Sequence, residues 1–262
     1  MDPLAPLIDA LHAEGRPRVW SLVITVMGDA VQPRGGRVAL ARLALILGRL
    51  GVEPGALRTA LSRLARDGWV VRERTGRVSH YRLSARGLAE YEPAARRIYA
   101  APAKTPVVWT LALTEDAADG FSLGGGLSLI SGPEAKAGTA LSVTGGLRCA
   151  PGIGTKLMPP EQRTALDRLF ADLDCLDPAE LSPGDAMAAR TLLIHRWRRI
   201  SLRWPDLPAP LAPVPPGPAR PRVAAAYRRL LPVSEAWLSD PETGAEPLPG
   251  ADASLARRFT QS

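Results

Sequence analysis

Apolar residues early in the chain recur at helical spacing. Leu4, Leu7, Ile8 and Leu11 lie at i, i+3, i+4 and i+7, which predicts a short helical arm stopped by Gly15 and Pro17. Val19, Leu22, Val23, Val26 and Met27 repeat the spacing. Five residues there (Val19, Val23, Ile24, Thr25, Val26) are β-branched, so helix and strand both fit a run that Gly28-Asp29 ends. Gln32–Gly36 is a turn cluster, and Val38-Ala39-Leu40 has the look of a short strand. Leu43, Ile46, Leu47 and Leu50 then mark one face of a second helix, with Gly51 at its C′ position. Pro54 opens a third helix whose buried stripe is Leu57, Leu61 and Leu64 and which ends near Asp67-Gly68. Trp69–Arg74, a turn at Thr75-Gly76-Arg77, and Val78–Leu83 read as a β-hairpin with arginine at its tip.

Beyond residue 100 the pattern changes. Ala101–Pro106 is a turn-rich linker, followed by short β-like runs and a Gly124-Gly125-Gly126 turn between strands. That glycine run lacks the Lys-Ser/Thr and the spacing of a phosphate loop. Leu166, Leu169, Phe170 and Leu173 form a helical stripe suited to core or dimer packing, and residues 178–262 read as mostly helical around a proline-rich break at Pro205–Pro221. The chain divides into an arm (1–17), a basic region with a linker helix (18–100), a central region (101–177) and a helical region (178–262). The fold class is α+β and multidomain.

Charge sharpens this division. The first 100 residues carry 16 arginines and nine carboxylates, whereas the rest carry 17 basic and 17 acidic side chains. The whole net charge of +7 therefore sits on the first part of the chain, as in a polyanion-binding module joined to neutral domains. No stretch reaches 18 apolar residues, which excludes a transmembrane helix, and the opening Met1–Pro6 lacks the pattern of a secretory signal. Two cysteines 26 positions apart, Cys149 and Cys175, form no CxxC motif and point to a reducing cytoplasm.

The third helix carries the most specific chemistry. Arg58, Thr59, Ser62, Arg63 and Arg66 lie on the face opposite its leucines. Such a stripe alone equally describes a solvated surface. Joined to a following hairpin with Arg72, Arg74 and Arg77, it has the order of a winged helix-turn-helix. There a helix enters the major groove, arginine reads guanine edges, and the hairpin supplies backbone attraction. Arg58, Thr59, Ser62 and Arg63 are the candidate base or phosphate contacts; Arg66, Arg72, Arg74 and Arg77 are the candidates for backbone attraction.

Other chemistry is sparse. His12, His80 and His195 share no metal-ligand spacing, and no GxSxG elbow is present. His80 reads as a hairpin-surface residue within reach of phosphate. A rival reading is a metal-dependent nuclease whose carboxylates are Glu115, Asp116 and Asp119. An RNA-binding adaptor fits less well, because the basic region lacks an aromatic stacking platform.

Trp20–Gly36 resembles the opening of the PaaX family, the phenylacetic-acid degradation repressors, and Leu57–Trp69 looks like that family's recognition-helix segment. The similarity continues through Tyr81–Gly87 and Arg96–Tyr99, then through His195–Arg199, Leu202–Pro208 and Tyr227–Leu230. The resemblance implies an N-terminal winged helix, a central ferredoxin-like (Cas2-like) domain and a helical C-terminal domain. It implies a helix over Val19–Met27, a homodimer bound to double-stranded operator DNA, and a bacterial, cytoplasmic transcriptional repressor rather than an enzyme. No cofactor or metal is implied; release is by an aryl-CoA thioester, phenylacetyl-CoA in the best-known case. With that ligand in view, Arg196, Trp197, Arg199 and Arg203 are candidate effector contacts, since arginine forks suit the phosphates of coenzyme A. The alternative is that Trp197 packs inward and the arginines pair with acids. The glycine run and the prolines at 210, 213, 215, 216 and 218 depart from the family pattern, which bears on the identity of the ligand rather than on the DNA-binding role.

Overall fold

The leucines of the arm do find a partner surface. In a computed structural model, which describes residues 2–13, 15, 17–104, 106–113, 120–133, 139–150, 152–177, 181–212 and 217–260, Ala5–Ala13 is helix α1. Its Leu7 and Leu11 are buried, and it packs on a helix from the far half of the chain. Val19–Val26 forms α2, so the ambiguous β-branched run is helical; Leu22, Val23 and Val26 bury against the rest of the core. Gly28-Asp29 does not end it. The chain widens into a π-turn over Met27–Val31 and then a 3₁₀ turn over Gln32–Arg34. The direction reverses at Gly35 and Gly36, with φ of 82° and 72°.

Arg37–Ala39 is β1, Leu40–Gly48 is α3 and Pro54–Arg66 is α4. The α3–α4 corner is a Schellman cap: Val52 N–H donates to Leu47 C=O at 3.0 Å and Gly51 N–H to Gly48 C=O at 2.9 Å, with Gly51 at φ 77° as expected for C′. The same cap follows α4 around Gly68, where Trp69 N–H donates to Leu64 C=O at 2.8 Å. Val70–Thr75 (β2) and Val78–Leu83 (β3) form the hairpin, and β1 joins β3, giving a three-stranded antiparallel sheet of order β1-β3-β2. Ala85–Ile98 is α5, capped by Ser84, whose Oγ accepts from Gly87 N–H. A Cβ on Gly87 would lie 2.3 Å from the Trp69 carbonyl oxygen, so only glycine lets α5 leave the hairpin this closely.

A second antiparallel sheet holds Trp109–Leu113 (β4), Phe121–Gly124 (β5), Leu127–Ser131 (β6) and Leu141–Gly145 (β7) in the order β5-β6-β4-β7. The glycine run makes the β5–β6 turn. Ile153–Leu157 (α6), Pro160–Cys175 (α7), Pro183–Ser201 (α8), Ala219–Ser239 (α9) and the short Ala253–Ala256 (α10) follow. Pro221 falls in the first turn of α9, so the proline-rich break is shorter than its composition predicts.

One core runs from Leu4 through α2–α5 to α7–α9 and Phe259, and α8 is its axis, buried at every position from Ala186 to Trp197. A smaller cluster of Trp109, Phe121, Leu129 and Leu211 lies beneath the second sheet. Among the described residues no helix is long and apolar enough to cross a membrane.

Candidate nucleic-acid interface

Helix α4 presents two faces of opposite character. Leu57, Ala60, Leu61 and Leu64 are buried against α2 and α3, each leucine contributing about 1.5–3 kcal/mol by leaving water. Arg58, Thr59, Ser62, Arg63 and Arg66 are all exposed, with Arg63 at 66% and Arg66 at 74%. Their tethers are light: Arg63 lies 3.6 Å and Arg66 3.2 Å from the carboxylate of Asp67, contacts that open to solvent are worth little. The Thr59 hydroxyl donates back to the Gly55 carbonyl, and Arg58 has no ion pair among the described residues.

The hairpin extends this surface. Arg72, Arg74 and Arg77 are exposed on it. Arg72 donates to the Ser79 hydroxyl at 2.8 Å and Arg74 to the Gly76 carbonyl at 3.1 Å, which holds both extended without cancelling their charge. Arg77, at the turn, has no partner among the described residues. Arg37 and Arg82 differ, since both pair with Glu73 across the strands. Residues 53–83 carry seven arginines against three carboxylates, so the surface is strongly cationic. All eight residues predicted for this surface are solvent-facing, on α4 and the adjoining hairpin. His80 is not among them. It is 3% exposed, and its Nε2 lies 2.6 Å from Glu246 Oε2, because β3 turns this position inward under the C-terminal tail.

Residues 18–87 match the family described as PaaX-like protein, and residues 161–240 match the PaaX-like protein C-terminal domain. The chain is also 31% identical to the transcriptional repressor PaaX of Escherichia coli K12, over 91% of this chain and 89% of that one. It belongs to the PaaX family. A solved structure similar to it is the uncharacterized protein Rv0674 from Mycobacterium tuberculosis, at 18% identity and a TM-score of 0.45, covering 82% of this chain and 97% of that one. The first PaaX match spans α2 to the start of α5 and so contains the whole cationic surface; the second spans α7–α9.

What joins these two PaaX regions is a buried polar cluster that sequence periodicity does not reveal. Asp29, 1% exposed, sits in the π-turn after α2. Its Oδ2 accepts from Arg190 Nε at 2.6 Å; its Oδ1 accepts from Arg258, from the Tyr99 hydroxyl at 2.8 Å and from the Tyr227 hydroxyl at 3.0 Å. Arg190 satisfies all its donors through Asp29, Tyr227, Ser234 and Glu235. Burial alone would raise the Asp29 carboxyl, but the Arg190 and Arg258 guanidiniums offset that and hold it below its ordinary value. Arg34 and Arg42 add further ties: Arg34 to Glu235 and the Pro249 carbonyl, Arg42 to the carbonyls of Trp237, Asp240 and Ala245 at the end of α9. The signal in the sequence is a lone charge inside an apolar run, Asp29 within Val26–Val31 and Arg190 within Ala188–Ile194.

The predicted effector residues divide between two places. Arg196 is buried and paired with Asp172, and Trp197 is buried with Nε1–H donating to the Ile98 carbonyl at 2.8 Å. Arg196, Arg199 and Arg203 border a hollow of about 520 Å³ with Arg168 and Trp204. Trp197 instead lines a larger cavity of about 710 Å³ beneath the second sheet. Glu115, Asp116 and Asp119 lie outside the described residues, and among the described ones no group of three or more His, Cys, Asp or Glu could hold a metal.

Proposed function

We propose that this protein is a transcriptional repressor that binds double-stranded operator DNA as a homodimer and is released by an aryl-CoA thioester. One observation carries the reading: the arginine-bearing face of α4 is uncovered by protein and continues into an arginine-tipped hairpin. Helices α2, α3 and α4 with β1–β3 have the order of a winged helix, with α4 as the recognition helix and the β2–β3 hairpin as the wing. Arg58, Thr59, Ser62 and Arg63 contact bases or nearby phosphates, and Arg66, Arg72, Arg74 and Arg77 neutralise the backbone. The Escherichia coli relative is a transcriptional repressor, which supports the same reading.

The second sheet is the central, ferredoxin-like unit of this proposal. Its order β5-β6-β4-β7 supports that topology, although only residues 114–120 and 132–140 are left for the two crossovers. Its two edges differ. The β5 edge is broken by an irregularity at Ser122/Gly124, while β7 is uncharged, with Leu141 62% and Val143 64% exposed. An apolar, unbroken edge of this kind is suited to antiparallel pairing with a second copy. Two α4 helices would then address half-sites about one DNA turn, or a multiple, apart.

Selection of genomic fragments by the full-length protein, followed by footprinting, tests the reading. The expected result is a (pseudo)palindromic site with protected half-sites at that spacing and affinity that falls steeply with salt. A monomeric, salt-insensitive complex, or no selected sequence, overturns it.

A further inference from the structure

Buried arginines in this molecule come with acceptors. Arg34, Arg190, Arg196, Arg220 and Arg258 each meet a carboxylate, and Arg42 is ringed by backbone carbonyls. Arg198, in the last turn of α8, departs from this pattern. It has no carboxylate partner among the described residues. Its Nη2 lies 3.4 Å from the Ser21 hydroxyl oxygen, and its Nε is enclosed without an acceptor. Ser201, one turn further on and 2% exposed, has a hydroxyl that is likewise unmatched. Burial, with the Arg199 guanidinium acting in the same direction, holds the Arg198 pKa below its ordinary value, as befits a cation short of a counter-charge.

The packing of α2 on α8 brings these unmatched groups to one place. Ser21 and Thr25 stand one turn apart on α2, and His195 and Arg198 one turn apart on α8. Arg198 meets Ser21 while His195 meets Thr25 at 3.3 Å, so the two helices run antiparallel and the start of α2 lies beside the end of α8. Arg198 and Ser201, three positions apart, fall together at that end. Arg18, the N-cap of α2, makes no side-chain cap bond, so the positive end of that helix is also uncapped there. The last carbonyls of α8 offer only about half a negative charge, which Arg199 and Arg203 share. A guanidinium cannot accept a hydrogen bond, so the missing partner of Arg198 Nε is an acceptor. Water would satisfy the bond but leave the charge.

We propose that a small inorganic anion binds between the start of α2 and the end of α8, held by the Arg198 guanidinium and the Ser201 hydroxyl. Chloride is the size that close helix packing admits. It supplies the missing counter-charge and fastens α8 to the first helix of the region 18–87. The site does not depend on the repressor reading.

Thermal unfolding of the full-length protein in sodium chloride and in sodium gluconate at equal ionic strength tests the site, with chlorine NMR line broadening as the direct readout of binding. The parent should melt about 2–4 °C higher in chloride, and bromide should replace it. Arg198→Gln keeps a donor and removes the charge. It should melt at the same temperature in both salts and lose the saturable part of the broadening. Ser201→Ala should reduce the difference between the salts without abolishing it. Circular dichroism checks that each variant folds. Equal melting of the parent in both salts, or no saturable broadening, means that water alone sits there and overturns the site. A chloride response of parental size in Arg198→Gln overturns it too, since the anions then act on exposed arginines elsewhere. Should Arg198→Gln fail to fold, a parental response in Ser201→Ala decides against the site in the same way.

Discussion

The arginines of α4 and the hairpin and those around Asp29 are chemically identical but sit in opposite surroundings. On α4, Arg63 and Arg66 are mostly in water with one shared carboxylate nearby, so they add almost nothing to folding and remain available to a polyanion. Around Asp29, Arg190 is fully buried with every donor used, and Arg258 reaches the carboxylate, the Gly28 and Asp29 carbonyls and two tyrosine hydroxyls. The π-turn makes this possible, because its wide spacing frees the carbonyls of Gly28 and Asp29 for side-chain donors. The contrast teaches that the exposed set is left out of the fold, as the proposed DNA contact requires, while the buried set fixes how α2 to α5 sit on α8, α9 and the tail.

The largest effect should come from breaking the buried set. Asp29→Ala leaves Arg190 and Arg258 without their carboxylate and should cost about 3–5 kcal/mol in urea denaturation of the full chain. A loss under about 1 kcal/mol would mean that Glu235 and the tyrosines suffice without it.

A second effect of similar size appears with acid. His195 on α8 lies against Thr25 of α2, with its Nδ1 3.3 Å from the Thr25 hydroxyl oxygen. Burial, aided by Arg198, Arg199 and Arg196, pushes its pKa down to about 3 from an ordinary 6.5. The unfolded chain thus takes up this proton below pH 6.5 while the folded chain refuses it until about pH 3. Stability is full above that window and falls as pH drops through it, by up to about 1.4 kcal/mol per unit and on the order of 5 kcal/mol in all. Asp29 adds to the loss at still lower pH: its depressed carboxyl favours the fold above 3.8, and that contribution disappears as pH falls through its folded value. His195→Gln should flatten the upper part of the profile; an unchanged slope between pH 6 and 4 would place its origin elsewhere.

These two predictions concern what the sequence hid, and the reason is physical. Periodicity reports which face of an element is apolar, so it gave α1, α3, α4, the hairpin and the cationic stripe, with Gly51 at the C′ position of α3 and Gly68 near the end of α4. It is silent on which distant side chains meet. Asp29 meets partners 161 and 229 positions away, Arg190 and Arg258, and the chain pattern around it read as a helix stop because Gly28-Asp29 resembles one. His80 was misplaced for a related reason: β3 alternation gives a side to each residue but not the identity of what covers it, here Glu246 from the tail. Trp197 and Arg199 are two positions apart on one helix and so point to different spaces, which a cluster of similar residues in the sequence conceals.

The exposed set should respond in the opposite sense, with DNA affinity moving and stability staying. Arg63→Ala should lower affinity for the selected operator by about 1–3 kcal/mol if it meets a base, while urea stability changes by less than about 0.5 kcal/mol. Equal losses on operator and random DNA would assign it to phosphate. A stability loss as large as that of Asp29→Ala would erase the distinction between the two sets.

The smallest effect separates arginines within the hairpin itself. Arg77 stands at the turn without a partner among the described residues, whereas Arg82, 45% exposed, is paired with Glu73. A cation that meets a phosphate displaces a condensed counterion, so its removal lowers the slope of log affinity against log salt by about one; a cation already matched by a carboxylate displaces fewer. Fluorescence anisotropy over a series of salt concentrations should therefore give a shallower slope for Arg77→Ala and a nearly parental one for Arg82→Ala. Equal slopes for Arg77→Ala and the parent would show that the hairpin tip stays clear of the duplex, leaving α4 to carry the contact alone. A slope change from Arg82→Ala as large as from Arg77→Ala would show that DNA draws Arg82 away from Glu73, in which case pairing seen in the free protein does not decide which hairpin arginines serve the complex.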